Sequence, residues 1–334
     1  MKPLLSLLMP FKDTAAFLPQ CLESIRQQDY ENWELIAVDD HSTDHSRDLI
    51  QQWADKDLRI RMVPNQGRGI IPALKTAHAH SRGVLISRMD SDDKMAQGRL
   101  KAMSDQLLQH GKGHIALGLV MYFSHRGISD GYARYQRWLN GLTRNGLNFS
   151  EIYKECVIPS PCWMVFREDL EASDAFRPNR YPEDYDLCFR FYEAGLKCLP
   201  SSQTLHYWRD YDHRTSRTSP HYAQNYFLDI KLHYFLKLDR DPSRPLVVWG
   251  AGTKGKTIAK NLKAAKHPFR WLCDNPRKIG KKIYGIPLEH YSALQEMSKA
   301  QSIITVANEA AQVQIRDYLT SQGHDPMKDY FYFC

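Results

Sequence analysis

Short apolar runs alternate with helical spacings through the first hundred residues. Leu4–Met9 is a continuous apolar run ended by Pro10 and predicts a buried strand. Phe17, Leu18, Leu22 and Ile25 share one face of a 3.6-residue period, which predicts an amphipathic helix over residues 16–28. Trp33–Val38 predicts a second strand, closed by Asp39-Asp40. Ser42 or Thr43 is then positioned to cap a helix whose inward face is Leu49, Ile50 and Trp53. A third strand over Ile60–Val63, a helix from Ile71 to about His80 and a fourth strand over Val84–Met89 complete the series. This α/β alternation with short connections predicts a mostly parallel sheet covered on both faces. Ligands of such sheets bind beyond the carboxyl ends of the strands. Two acidic groups sit there, Asp39-Asp40 after the second strand and Asp90 to Asp93 after the fourth.

The pattern then loosens. Residues 125–160 carry aromatic and polar side chains without a clean period, and a helix is predicted from Asp184 to about Ala194, ended by Gly195. Residues 208–221 read as a polar loop holding Arg209, Arg214 and Arg217. The Asp239–Pro245 stretch (D-R-D-P-S-R-P) has the composition of a linker. It predicts a domain over residues 1–240 and a second over 245–334. The second begins with a strand at Leu246–Trp249, a Gly250-Ala251-Gly252-Thr253-Lys254-Gly255 turn and a helix to about Ala265. Strands follow at Phe269–Cys273 and Ser302–Val306, and Glu309–Ser321 closes it as a helix. That order fits half of a Rossmann-type α/β fold.

Composition narrows the function classes. Of 334 residues, 43% are hydrophobic and 25% charged, enough apolar material for a buried core and too much for disorder. The net charge of +7 suits anionic small molecules or an anionic membrane surface and is far from a nucleic-acid signature. Seven cysteines without C-x-x-C spacing argue against a structural zinc site or a disulfide framework and for a reducing compartment. The apolar run after Met1-Lys2-Pro3 is too short for a signal peptide, and no run of apolar residues is long enough to span a bilayer. A cytoplasmic protein, with contact to the inner membrane face left open, is the expectation.

Asp90-Ser91-Asp92-Asp93 is the sharpest local signal for chemistry. Carboxylates crowded at a strand end repel one another unless a cation neutralises them. Magnesium or manganese takes one or two carboxylates together with substrate phosphates and water. An alternative is simple capping of the next helix.

Together, Leu4–Pro10, Glu34–Asp44, Gly69–Leu74, Ile86–Asp93 and Pro182–Arg190 resemble glycosyltransferase family 2 over roughly residues 4 to 220, with its GT-A fold. The resemblance implies inverting transfer of a sugar from a nucleotide diphosphate donor to a hydroxyl acceptor, with Mg2+ or Mn2+. The acceptor class it implies is a bacterial surface glycan or a lipid-linked sugar. Pro10 would line the nucleotide pocket, Asp39 and Asp40 would contact base and ribose, and Arg88 and Arg214 (with Arg217) would face the diphosphate. Asp90 and Asp92 match the D-x-D pattern that holds the metal, and His206 is a further candidate ligand. Asp184 matches the catalytic base, with Glu183 beside it, and the aperiodic 125–160 stretch suits an acceptor cleft. His41 departs from the family pattern, which has Gly at that position, and Lys75 replaces a frequent Asn.

In the C-terminal part, Gly250, Gly252 and Gly255 form G-x-G-x-x-G after a strand and before a helix, and Asp274 lies nineteen residues beyond Gly255. That spacing predicts a pyrophosphate over the helix start with Asp274 on a ribose, or else a turn kept for its backbone geometry. Two other classes remain to be weighed: an NAD-type oxidoreductase led by this turn, and a non-catalytic nucleotide-sugar binder. The first leaves the acidic motifs without a purpose, and the second leaves Asp90, Asp92 and Asp184 without one.

Overall fold

A computed structural model of the chain describes residues 2–177, 180–212, 214 and 227–334. Strand β1 (Leu5–Phe11) is buried throughout and runs parallel to both its neighbours, β2 (Trp33–Asp39) and β4 (Leu85–Arg88), with β3 (Ile60–Pro64) parallel outside β2. Helices α1 (Leu18–Arg26), α2 (Ser46–Ala54) and α3 (Ile70–His80) connect them. One face of β1, made by Leu5, Leu7, Met9 and Phe11, packs against Leu18, Leu22 and Ile25 of α1. The 3.6-residue spacing read from the sequence is the face that this core consumes.

Two local expectations are corrected. Pro10 lies inside β1, opposite Val38, instead of ending the strand. Phe11 O accepts from Asp40 N on the β2 side. Pro10, one residue earlier, therefore directs its backbone to the other side, where pairing with β4 has stopped at Leu8 and Arg88. The missing proline N–H costs no ladder bond there. Ser42 and Thr43 do not cap α2, which starts later with Ser46 N donating to Asp44 Oδ1 (2.9 Å). They bind the loop after β1 instead: Asp13 N donates to Ser42 Oγ (3.1 Å) and Thr43 N to Asp13 Oδ1 (2.7 Å).

Beyond β4 the sheet becomes mixed. β8 (Trp163–Phe166) is antiparallel to β4, β6 (His114–Leu117) is antiparallel to β8 and β9 (Lys197–Cys198) is parallel to β6, giving the order β3-β2-β1-β4-β8-β6-β9. A second sheet has the order β5 (Lys94–Met95), β10 (Thr204–Arg209), β7 (Leu119–Phe123). Because β5 follows directly on Asp93, this small sheet brings β10 against the acidic turn. Helices α4 (Arg99–His110), α6 (Arg167–Ala172) and α7 (Glu183–Glu193) complete the layer.

The aperiodic stretch contains a helix, α5 (Asp130–Asn145), capped by the Ser129 side chain and closed by Gly146 at φ 65°. Its inward face includes amides: Gln136 Oε1 accepts from Tyr122 N (2.7 Å), while Asn140 Oδ1 and Nδ2 pair with Val120 N and O at 2.9 and 2.8 Å. These amides satisfy one open edge of β7. Polar residues doing an inward job conceal the apolar period.

The chain divides into two compact units, Met1–Phe149 with Val157–Ala223, and Ser150–Cys156 with Gln224–Cys334. The Asp239–Pro245 stretch thus lies inside the second unit. The early segment Ser150–Cys156 belongs there because Tyr153, 1% exposed, stacks on Phe333 and meets Phe235 and Phe331 edge-on. The second unit has a sheet of order β13 (Lys282–Ile283), β14 (Ile286–His290), β12 (Arg270–Cys273), β11 (Leu246–Trp249), β15 (Gln301–Ile304), β16 (Tyr330–Tyr332), parallel except for β13. Helices Thr253–Ala264 and Glu309–Ser321 follow β11 and β15. Among the described residues no helix is long and apolar enough to cross a membrane.

Candidate active site

The parallel strands deliver their acids to one edge. Asp39, the last residue of β2, pairs with Phe11, and Arg88, the last residue of β4, pairs with Leu8. Both acidic turns therefore flank the end of β1. Thr14 stitches them, its hydroxyl donating to Ser91 Oγ (3.1 Å) and its backbone N–H to Ser46 Oγ (2.9 Å).

On the β2 side, Asp39 Oδ1 accepts from Ser42 N (3.0 Å) and Oδ2 lies 3.4 Å from Arg47 Nε. Asp40 Oδ1 accepts from Asn65 Nδ2 (2.7 Å) and Gly69 N (2.8 Å), which ties the loop after β3 to the end of β2. Gly69 has φ 94°, and a Cβ there would stand 3.1 Å from the Tyr181 hydroxyl. Burial and the charges of Glu183 and Asp40 raise that phenol above its ordinary range. Tyr181 thus sits between the β2 acids and the start of α7.

On the β4 side, Arg88 is buried and bridges two motifs: Nε donates to Asp90 Oδ1 (2.8 Å) and Nη1 to Glu183 Oε1 (3.0 Å). Burial works against its charge, yet Asp90, Glu183 and Asp184 hold the guanidinium above its ordinary pKa. Arg88 was expected to face a diphosphate. Two of its five N–H donors go to carboxylates, one on Asp90 and one on Glu183, so it ties the acidic turn to the start of α7, with 95 residues of sequence between Arg88 and Glu183. Asp184, half-buried at the start of α7, is pushed above the ordinary carboxylate range by burial and by the Glu183 charge, with Arg88 pulling the other way.

Asp92 Oδ2 accepts from the Tyr211 hydroxyl (2.9 Å), and Tyr211 packs on Phe17 with centroids 4.6 Å apart. Burial and the charges of Asp93 and Asp90 push Asp92 up to about 7. A carboxylate so disfavoured marks a turn with more negative charge than its surroundings neutralise. Arg214 is the nearby cation, its guanidinium 5.1 Å over Trp208 and 5.8 Å over Tyr122, with Asp93, Asp92 and Asp90 favouring its charge. Arg217 lies outside the described residues. Arg209 supports the turn from β10, donating from N to Asp93 Oδ1 (2.7 Å) and from Nε to Asp92 O (2.6 Å).

The residues present fit a divalent cation of the Mg2+ or Mn2+ type. Asp90 Oδ2 and Asp92 Oδ1 have no hydrogen-bond partner among the described residues. Among those residues no group of three or more His, Cys, Asp or Glu is gathered to hold a metal unaided. Two hard oxygen donors match an ion that draws its other ligands from phosphate and water. His206 is corrected as a ligand. It is fully buried in β10, with Nδ1 2.8 Å from Arg99 Nη1 and Nε2 2.9 Å from Asp93 Oδ2, so neither nitrogen has a lone pair to offer.

Thr14, Asn65, Arg99, Tyr181 and Tyr211 are parts of this site that motif reading did not single out for it. Asn65, directly after β3, carried a positional signal. Arg99 and Tyr181 carried none.

In the second unit, Gly250 has φ 121°, and a Cβ on Gly255 would collide with the Gly250 carbonyl oxygen. Both glycines are therefore required by the packing of the turn itself. Gly252 stands in open space at a helix start without a side-chain cap. Asp274 is exposed just after β12.

This arrangement has known relatives. The Glycosyl transferase family 2 model matches residues 6–173. Glycosyltransferase GlyG of Streptococcus pneumoniae serotype 4 is 31% identical over 219 residues, covering 63% of this chain and 71% of that protein. The crystal structure of S. aureus TarS 1-349 in complex with UDP-GlcNAc superposes with a TM-score of 0.56 at 18% identity, over 77% of this chain and 71% of that one. Mannosyltransferase PcManGT from Pyrobaculum calidifontis, in complex with GDP-Man and Mn2+, gives 0.52 at 17% identity over 97% and 85%. The two structural likenesses carry the fold, a GT-A type mixed α/β architecture. With half of its length matched by the family model and GlyG related along most of its own length, the chain belongs to glycosyltransferase family 2.

Proposed function

We propose that the chain is an inverting, metal-dependent glycosyltransferase that moves a sugar from a nucleoside diphosphate donor to a hydroxyl of a glycan or lipid-linked glycan. The supporting observation is the Arg88 bridge, which unites the acidic turn after β4 with the acidic pair on α7 in one cluster. The nucleotide complexes of TarS and PcManGT favour the same donor class.

Asp39 and Asp40 hold the nucleoside, since a carboxylate accepts from base N–H and ribose hydroxyls, while Pro10 shapes the strand end beneath it. Asp90 and Asp92 hold Mg2+ or Mn2+, which when bound neutralises charge developing on the departing diphosphate. Arg214, already drawn to the acidic turn, pairs with phosphate oxygens. Asp184 takes the proton of the acceptor hydroxyl as that oxygen bonds to the anomeric carbon. The bond from that carbon to the diphosphate breaks, and the nucleoside diphosphate leaves with the electron pair. A base poised above the ordinary carboxylate range matches this task better than an ordinary one. Glu183, held by Arg88, orients the start of α7. The seven cysteines, all free, suit a cytoplasmic setting.

Two substitutions test the assignment. Asp92→Ala is expected to abolish Mn2+-dependent binding of a UDP- or GDP-sugar in thermal-shift titrations. Asp184→Asn should keep that binding and lose transfer by about 100-fold or more, the usual scale of a general base. Near-normal turnover by Asp184→Asn would overturn the base.

A second reading concerns the Gly250–Gly255 turn alone. The open space over Gly252 at an uncapped helix start favours a nucleotide phosphate there, with Asp274 on a ribose. Gly252→Val would then lower affinity for NADH or a nucleotide sugar in the second unit without touching transfer. Equal binding by this variant reduces the turn to a structural element.

A further inference from the structure

Behind the acidic turn lies a buried chain of polar groups that the transfer does not use. Arg99, on the first turn of α4, is 0% exposed. It donates from Nη1 to His206 Nδ1 (2.8 Å) and from Nη2 to Ser87 Oγ (3.2 Å), Arg88 O (3.1 Å) and Pro161 O. His206, equally buried, has Nε2 2.9 Å from Asp93 Oδ2. Asp93, 1% exposed, takes Arg209 N on its other oxygen at 2.7 Å. A guanidinium has donors and no acceptor, so His206 Nδ1 must accept. The proton of the neutral ring is then on Nε2 and is donated to Asp93. Every bond in the series has a fixed direction: Arg99 to His206, His206 to Asp93, and Arg209 to Asp93.

The consequence falls on the turn. Asp93 has both oxygens engaged from behind. Of the three acids in Asp90-Ser91-Asp92-Asp93, only Asp90 and Asp92 keep an oxygen without a partner among the described residues. We infer that His206 is a positioning residue. By accepting from Arg99 and donating to Asp93 it fixes the Asp90–Asp93 turn, so that Asp90 and Asp92 meet the cation-bound diphosphate while His206 itself does not touch it. This rests on the donor-site assignment above. An imidazole suits the position because it accepts on one edge and donates on the other. Glutamine offers the same pair of functions, and leucine neither. Leucine would leave a buried guanidinium donor and a carboxylate oxygen both unpaired, which is costly.

Two experiments test it, the first on the unaltered protein. In 15N-histidine NMR, with the His206 signals assigned by their loss in His206→Gln, the ring is expected as the neutral Nε2–H tautomer, unchanged on saturation with diamagnetic Mg2+. An imidazolium, an Nδ1–H tautomer, or a ring nitrogen shifted by ligation would overturn the positioning role. The second measures the Mn2+ dissociation constant by tryptophan fluorescence in the presence of UDP. His206→Leu should weaken Mn2+ by about tenfold or more, the usual scale for groups that orient metal ligands. Its KM for donor should rise with Mn2+ limiting, and His206→Gln should stay close to wild type. Loss in Gln equal to that in Leu would mean direct ligation, and a folded His206→Leu with wild-type affinity would mean no role; either result ends the proposal. Should His206→Leu fail to fold, the tautomer measurement decides. If the wild-type protein binds no Mn2+ with UDP, the donor-site assignment falls and this inference with it.

Discussion

His41 sits at φ 60°, in the left-handed region, where the family pattern has glycine. That conformation costs a residue with a Cβ roughly 1–2 kcal/mol. Its Nε2–H offsets part of this by donating to Gly67 O (2.8 Å), across to the loop that Asp40 holds by Asn65 and Gly69. His41→Ala keeps the strain and loses the bond, so urea unfolding should show a loss of about 1 kcal/mol, together with weaker donor binding. His41→Gly should lie close to wild type. At Asp184 the sign of a pH effect can be worked out. The base acts only when ionised, so transfer falls as pH drops through its raised pKa, and Glu183 is one cause of that rise. Glu183→Gln should therefore move the acid limb of the residual kcat/KM profile to lower pH; an unmoved limb would mean that the base is another group. At this scale the acids were legible in the sequence because they cluster at strand ends. The commitments of Arg88 and His206 were not, since a charged side chain looks the same in sequence whether it faces a phosphate or a buried carboxylate.

Among the elements, strands β1 to β4 and helices α1 and α3 follow from apolar runs and 3.6-residue spacing. The helix Glu309–Ser321 was legible to the residue. α5 was hidden because Gln136 and Asn140 face inward to serve the β7 edge, although Ser129 before it and Gly146 after it mark its ends. Asn140 is 8% exposed, and Asn140→Leu would leave both the N–H and the C=O of Val120 unpaired. A loss of about 2 kcal/mol or more in urea unfolding is the expectation, given about 1–3 kcal/mol per buried orphan group. A wild-type midpoint would show that water replaces the amide.

Across the whole molecule, the linker-like residues 239–245 lie inside the second compact unit. Ser150–Cys156 is part of the second unit, with Tyr153 Oη bonded to Asp239 Oδ2 (2.5 Å) and its ring among Phe235, Phe331 and Phe333. Ending the chain at residue 240 keeps Phe235 and Asp239 but removes Phe331 and Phe333 from the Tyr153 ring, and should give a protein that melts lower and aggregates more than the full chain in light scattering. Equal behaviour would mean that the segment refolds locally. The sequence by itself determined strands β1 to β4 with the helices between them, the two acidic turns and the family. Each of these is local, set by periodicity, turn chemistry or a short motif. Tertiary structure alone decided the rest: that Arg88 ties Asp90 to Glu183, that His206 turns its two nitrogens to Arg99 and Asp93, and that an early segment joins the C-terminal unit. These are pairings across about a hundred residues, set by how sheets bring distant strands together, and no local pattern encodes them.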